Sequence, residues 1–223
     1  MSQMRSVAGI LFLVTLSSTV QADPVRVDQA VIPTDASHAS IFGDIVQAQT
    51  FTVGVTGTLT ALDLFLTRNS FLTGPLFVDI RPTVDGVPVL SHDSALASFS
   101  VSPTAVAIVT PPGPAFRVDL FDFALSVRAG DLLAFALRSP ESSRATGEYS
   151  AAAVPTDVYK RGELFTFSPS SGMHEMTRIP NFDLAFTTYV DPAPVPEPGT
   201  LLLVAAGAVG IARAVRKRRV RQL

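Results

Sequence analysis

The chain has 223 residues, with 17 Lys and Arg against 19 Asp and Glu, and neither cysteine nor tryptophan. Without thiols there are no disulfides, no cysteine nucleophile and no Cys-based zinc site. Residues 23–197 hold all 19 acids and only ten of the cations, about −9, which argues against nucleic-acid binding and favours solubility outside the cell.

The first 22 residues read as one unit. Met1 to Arg5 is a short positive segment, Val7 to Leu16 an apolar core, and Ser17 to Ala22 a small, polar stretch. That grammar is a secretory signal helix handed to the secretion machinery, with signal peptidase cutting between Ala22 and Asp23. The apolar core is too short for a transmembrane helix.

From Asp23 to Val190 the pattern is that of strands. Gln21 to Phe42 is weakly patterned and predicts an edge strand and a loop. Phe51, Val53 and Val55 alternate with polar or small residues, then Leu62, Leu64 and Leu66, then Leu76, Val78 and Ile80. Phe116, Val118 and Leu120 follow, then Leu133, Phe135 and Leu137, and a final strand from Phe182 to Val190. Weaker candidates are 95–101, 104–109 and 163–167. Turn signals fall between them at Thr73-Gly74-Pro75, Asp85-Gly86, Pro111 to Pro114, Ala129-Gly130-Asp131 and Ser168 to Gly172. Eight to ten such strands predict an all-β, two-sheet sandwich of the jelly-roll kind over residues 23–190. Residues 191–194 read as a Pro-rich linker.

Gln49-Thr50-Phe51 through Leu59, Gly74-Pro75-Leu76, the turn at Gly130 and Asp183 to Val190 together carry a resemblance. This stretch resembles the β-sandwich ectodomains of secreted bacterial proteins with interchangeable C-terminal anchors, which are similar in architecture to carbohydrate-binding jelly rolls. A shared architecture does not transmit a ligand.

Few residues of this middle segment suggest chemistry. His38, His92 and His174 are far apart and in no ligand pattern; on a strand, His92 and Asp93 would face opposite ways. Asp63, Asp79, Asp119 and Asp122 lie in strand-like runs. They would serve a glycan hydrolase only if two of them converge within about 5 to 9 Å; otherwise they are solvated strand charges. Calcium is the one cation that suits such loops, although no Asp-x-Asp-x-Asp-Gly run is present, and no other cofactor is implied. Tyr149, Tyr159 and Tyr189 are candidates for stacking on sugars or for amphipathic packing.

The last segment, 195–223, has three parts. Val195-Pro196-Glu197-Pro198-Gly199-Thr200 is followed by an apolar run from Leu201 to Ala212 and by Arg213, Arg216, Lys217, Arg218, Arg219 and Arg221. The two prolines hold Glu197 in extended chain, and Thr200 can cap the short hydrophobic helix that follows. Twelve residues give roughly 18 Å of helix against a bilayer core of about 30 Å, a marginal span whose basic end stays cytoplasmic.

This order of motif, apolar helix and Arg cluster resembles the PEP-CTERM sorting signal of exported proteins in Gram-negative, exopolysaccharide-producing bacteria. The resemblance implies transient inner-membrane insertion. It also implies recognition of Pro196, Glu197 and Pro198 by an exosortase-type membrane protease, followed by residence at the cell surface or in the extracellular matrix. The expectation is a non-enzymatic exported protein; a carbohydrate-binding or adhesive module for exopolysaccharide is the alternative, with a hydrolase behind it.

Overall fold

A computed structural model describes residues 25–194, nearly all of a compact unit that runs from Asp23 to Ala193. The signal segment, the Ala22–Asp23 bond, Pro196, Glu197, Pro198, the apolar helix and the basic cluster lie outside the described residues. Among the described residues no helix is long and apolar enough to cross a membrane.

The chain forms strands with a few short 3-10 turns. In order these are β1 Arg26–Val31, β2 His38–Ile41, β3 Val46–Thr52, β4 Gly57–Arg68 and β5 Leu76–Val84. There follow β6 Val87–Pro88, β7 Ala97–Val101, β8 Ala115–Asp119, β9 Leu125–Val127 and β10 Leu132–Arg138. The last five are β11 Tyr149–Val154, β12 Leu164–Ser168, β13 Met173–Ile179, β14 Asp183–Leu184 and β15 Phe186–Pro192.

They pair into two antiparallel sheets. One runs β1-β15-β4-β11-β14, with β2 on β11 and with β8 and β9 on β4; the other runs β13-β12-β3-β10-β5-β6, with β7 on β5. The chain changes sheet at β3, β4 and β5 in turn, and again from β9 through β10 and β11 to β12. The expected two-sheet sandwich is therefore present, built largely from strands distant in sequence.

Alternation produces this arrangement directly, because every second side chain of a strand faces the same way. Leu62, Leu64 and Leu66 of β4 meet Leu76, Val78 and Ile80 of β5 and Phe135 and Leu137 of β10 in one continuous core. Phe186 is its centre, with ring centroids 6.1 Å from Phe51, 5.3 Å from Phe135 and 5.4 Å from Tyr159.

Several boundaries differ from the pattern. β3 stops at Thr52, so Val53 and Val55 sit in the following loop, where Val53 N–H bonds Asp131 O at 2.8 Å and Gly54 N–H bonds Asp28 Oδ1 at 2.9 Å. The expected last strand is cut at Ala185: β14 pairs with β11, while β15 pairs with β4 and β1. β15 also continues two residues into the expected linker, with Asp191 opposite Thr58 and Pro192 opposite Gly57. A proline fits there because the next donor along the ladder is Ala193 N–H, which bonds Thr56 O at 2.9 Å. Residues 104–109 form no strand: the first two belong to a 3-10 turn, Pro103–Ala105, and the rest are irregular. At the Asp85-Gly86 turn both residues have positive φ, 51° and 82°, the requirement of a two-residue hairpin between β5 and β6.

Candidate functional site

The side of the seven-stranded sheet turned away from the core carries the most concentrated chemistry. Core residues Val78 and Ile80 on β5 and Phe135 and Leu137 on β10 fix which way their neighbours point. The ladder then sets two rows across five strands. One reads Phe167, Val46, Arg138, Phe77, Ser100 and the next Phe165, Ala48, Ala136, Asp79, Ser98.

Asp79 faces away from the core yet is only 1% exposed. Its Oδ2 accepts from Arg81 Nη2 at 2.7 Å and Arg138 Nε at 2.9 Å, and its Oδ1 accepts from Ser98 Oγ at 2.6 Å. Burial alone pushes this carboxyl up, but the bonds from Arg138, Ser98 and Arg81 outweigh it and hold the group below the usual carboxylate range.

The two arginines do different work. Arg81, itself buried, donates from Nη1 to Val89 O at 3.0 Å, Ser91 O at 2.9 Å and Ser94 Oγ at 3.2 Å, so it clamps the segment after β6 against the sheet. Arg81 Nε is buried and meets no acceptor among the described residues. Arg138 is 28% exposed and stacks 4.4 Å over the Phe77 ring. Its only hydrogen bond is the one from Nε, so its two terminal nitrogens meet no acceptor among the described residues.

Ala48 and Ala136 leave room in the middle of this face, and Phe165, Val46 and Met176 pack over them. A cavity lies to each side. One, of about 280 Å³, is lined by Val46, Asp79, Arg81, Leu90, Arg138 and Phe167 among others. The second, of about 650 Å³, involves Thr50, Thr52, Lys160, Arg161, Glu163 and Arg178 and reaches the Asp85-Gly86 turn. Arg178 pairs with Glu163 there. Five of the ten cations of residues 23–197 line these two cavities, against only three acids, Asp79, Asp85 and Glu163. Lys160 is paired with Asp157 at 2.7 Å, so the clear positive surplus is in the smaller cavity, where Arg81 and Arg138 face the single carboxylate of Asp79.

Of the four carboxylates considered as a hydrolytic pair, Asp79 lies on one sheet, while Asp63 on β4 and Asp119 on β8 share the other, with Asp119 two residues along from Arg117, the direct cross-strand partner of Asp63. Asp63 is bonded by Arg117 Nε at 2.8 Å and Nη2 at 2.9 Å and by Tyr189 Oη at 2.8 Å. The Arg117 bonds hold it below its ordinary value. Asp119 accepts from Phe121 N–H at 2.9 Å, and Asp122 sits exposed in that same turn.

The histidines are also separate. His38 is on β2 and His174 on β13, while His92 opens a 3-10 turn, so the strand argument for His92 and Asp93 does not apply. Among the described residues no three His, Asp or Glu side chains gather as metal ligands.

Two of the three tyrosines are interior. Tyr149 Oη donates to Gly74 O at 2.8 Å and Tyr159 Oη donates to Gln29 Oε1 at 3.0 Å; burial pushes both phenols up to about 12. Tyr189 is half-buried beneath Arg117, whose guanidinium lies 4.3 Å from its ring.

A second polar centre ties the two sheets together. Buried Asp183 accepts from Gln49 Nε2 at 3.2 Å and from Tyr159 N–H at 2.9 Å, and Gln49 Oε1 accepts from Leu184 N–H at 2.8 Å. No cation bonds this carboxyl among the described residues, and burial holds its pKa above the ordinary value. Its role is structural: it satisfies backbone groups where β14 leaves the sheet.

Fold and face together define a β-sandwich with a cationic trough on one outer surface. Residues 194–219 match the PEP-CTERM protein-sorting motif. That motif implies an exported protein sorted at the membrane by an exosortase. No curated protein matches the chain. Among solved structures it is similar to the cysteine protease and lectin-like domains of Cwp84, a surface layer associated protein of Clostridium difficile. The TM-score is 0.46 at 14% identity, over 72% of this chain and 37% of that one. A likeness of that size carries no argument about ligand or activity.

Proposed function

We propose that this is an exported, non-enzymatic module that binds glycan through the outer trough of its seven-stranded sheet. It is delivered by its leader, processed at Pro196-Glu197-Pro198, and then resides at the cell surface or in the extracellular matrix. The observation that carries the binding half is the trough itself. Its two cavities combine apolar walls, Phe165, Phe167 and Leu90, with charged donors at fixed positions, the mixture that ligand sites use. The non-enzymatic half is supported by how Asp63 and Asp79 are engaged: their arginine partners lower both pKa values, which removes the raised-pKa acid that a hydrolytic pair needs.

A glycan array probed with the protein, with and without calcium, tests the reading. Binding that Arg178→Glu or Arg138→Gln weakens supports it. Silence across neutral and acidic glycans would sink the binding half. Glycan cleavage lost with Asp79→Asn would restore the hydrolase alternative.

A further inference from the structure

We infer that the smaller cavity is a carboxylate-reading subsite, and that the glycan taken by the trough carries uronate-type acid groups. This rests on the binding reading above and adds the ligand's chemistry to it.

Arginine and carboxylate match best when two N–H groups of the planar fork meet two oxygens. Arg138 is fixed on two sides: Asp79 holds Nε at 2.9 Å, and the Phe77 ring lies 4.4 Å below the guanidinium. What remains is the edge formed by Nη1 and Nη2, unbonded to the described residues, on a side chain that lines the cavity. A fork held in this way loses little side-chain entropy on binding.

The charge balance points the same way. Asp79 neutralises one of the two arginines, so the cavity keeps one surplus positive charge. Arg81 contributes a buried Nε–H with no acceptor among the described residues. Leu90, Val46 and Phe167 supply the apolar remainder. At about 280 Å³ the space is below the range of about 300 to 1,000 Å³ usual for drug-sized ligands, which suits one ring or end group of a longer chain. The larger cavity beyond Ala48 and Ala136 continues the same face for the next units; its Lys160 pairs with Asp157 and its Arg178 with Glu163, so the unspent charge of the face is concentrated at Arg138. A neutral sugar would leave the Arg138 edge facing no charge. A carboxylate satisfies it and cancels the surplus.

The test compares oligogalacturonate with its methyl ester, which keeps the ring and removes the charge. Calorimetric titrations use the full chain in detergent, as wild type and as Arg138→Gln; the basic tail is common to both proteins. The expected result is a preference of wild type for the free acid, with Arg138→Gln losing about 10- to 100-fold in affinity for the acid and little for the ester. Poly-glutamate and single-stranded DNA serve as other polyanions, and affinity for either equal to that for the acid overturns the glycan assignment.

Equal binding of acid and ester by wild type overturns the inference while leaving glycan binding intact. So does an undiminished preference in Arg138→Gln. Binding of neither overturns the inference, and a neutral-glycan panel then decides the broader reading. Arg138→Lys, which keeps charge but not the fork, falls between wild type and Arg138→Gln, and melting curves confirm that each variant is folded.

Discussion

Arg138 Nε lies 2.9 Å from Asp79 Oδ2 on the face of the sheet turned away from the core, and Asp79 is nevertheless almost wholly buried. The pair joins β10 to β5 in a row whose other members are Phe165, Ala48, Ala136 and Ser98. It also separates the roles of the arginines, because Arg81 holds the loop after β6 while Arg138 offers a free edge.

Removing Asp79 should therefore be strongly destabilising. Asp79→Ala leaves Arg81 buried without its counter-ion, a loss of about 3 to 5 kcal/mol, whereas Arg138→Gln leaves the Asp79–Arg81 pair standing and costs far less. Urea denaturation of the two variants beside wild type measures the difference. Equal losses would contradict the division of labour.

The pH dependence has two parts of opposite sign. Asp79 and Asp63 have lowered folded-state pKa values, so their stabilisation is complete above the unfolded value of about 3.9 and disappears as pH falls through the folded values. Asp183 is raised by burial; its ionised form opposes folding above its folded pKa, and acidification down to about 4 relieves that. Urea midpoints should consequently fall steeply only below about pH 4. The gap between wild type and Asp79→Asn should close over the same interval. A gap that stays constant down to about pH 2 would remove Asp79 from the acid response.

Gln49 offers a separate check on the inter-sheet centre. Gln49→Leu fits an apolar side chain but strips the acceptor from Leu184 N–H and a donor from Asp183, for a loss of at least about 2 kcal/mol. The damage should concentrate at β14, read as faster amide exchange at Leu184 and Ala185 than elsewhere. Unchanged exchange there would show that the centre is not what ties β14 down.

Phe186 tests the core. It touches Phe51 and Phe135 of one sheet and Tyr159 in the loop before β12, so Phe186→Ala opens a cavity between the sheets at a cost of about 3 to 5 kcal/mol. Thermal melting with a near-ultraviolet probe of Tyr159 reads the loss. A drop below about 1 kcal/mol would mean that the core closes around the gap.

Strands with branched or aromatic residues at every second position, β4, β5 and β10, are legible in the sequence because one of their faces meets the core. β11 is not: Tyr149-Ser150-Ala151-Ala152-Ala153-Val154 is buried on both faces by small residues and gives no alternation. β13 escapes for the opposite reason, since Met173–Ile179 is an edge strand with mostly exposed polar residues. The break at Ala185 depends on Gln49, 136 residues earlier in sequence, and no local pattern announces it. Asp79 stands out in the sequence, but as one of four scattered acids. The more useful sign is Asp79-Ile80-Arg81, opposite charges two apart and hence on one face. Arg138 joins them only through the register of β10 on β5.

The most direct measurement is the intact mass of the protein recovered from the cell surface or medium. The proposed processing predicts a mature protein that begins at Asp23 and lacks the segment Arg213 to Leu223. Surface material that still carries that basic segment would contradict processing at the sorting motif, and with it the reading of an exosortase-cleaved protein.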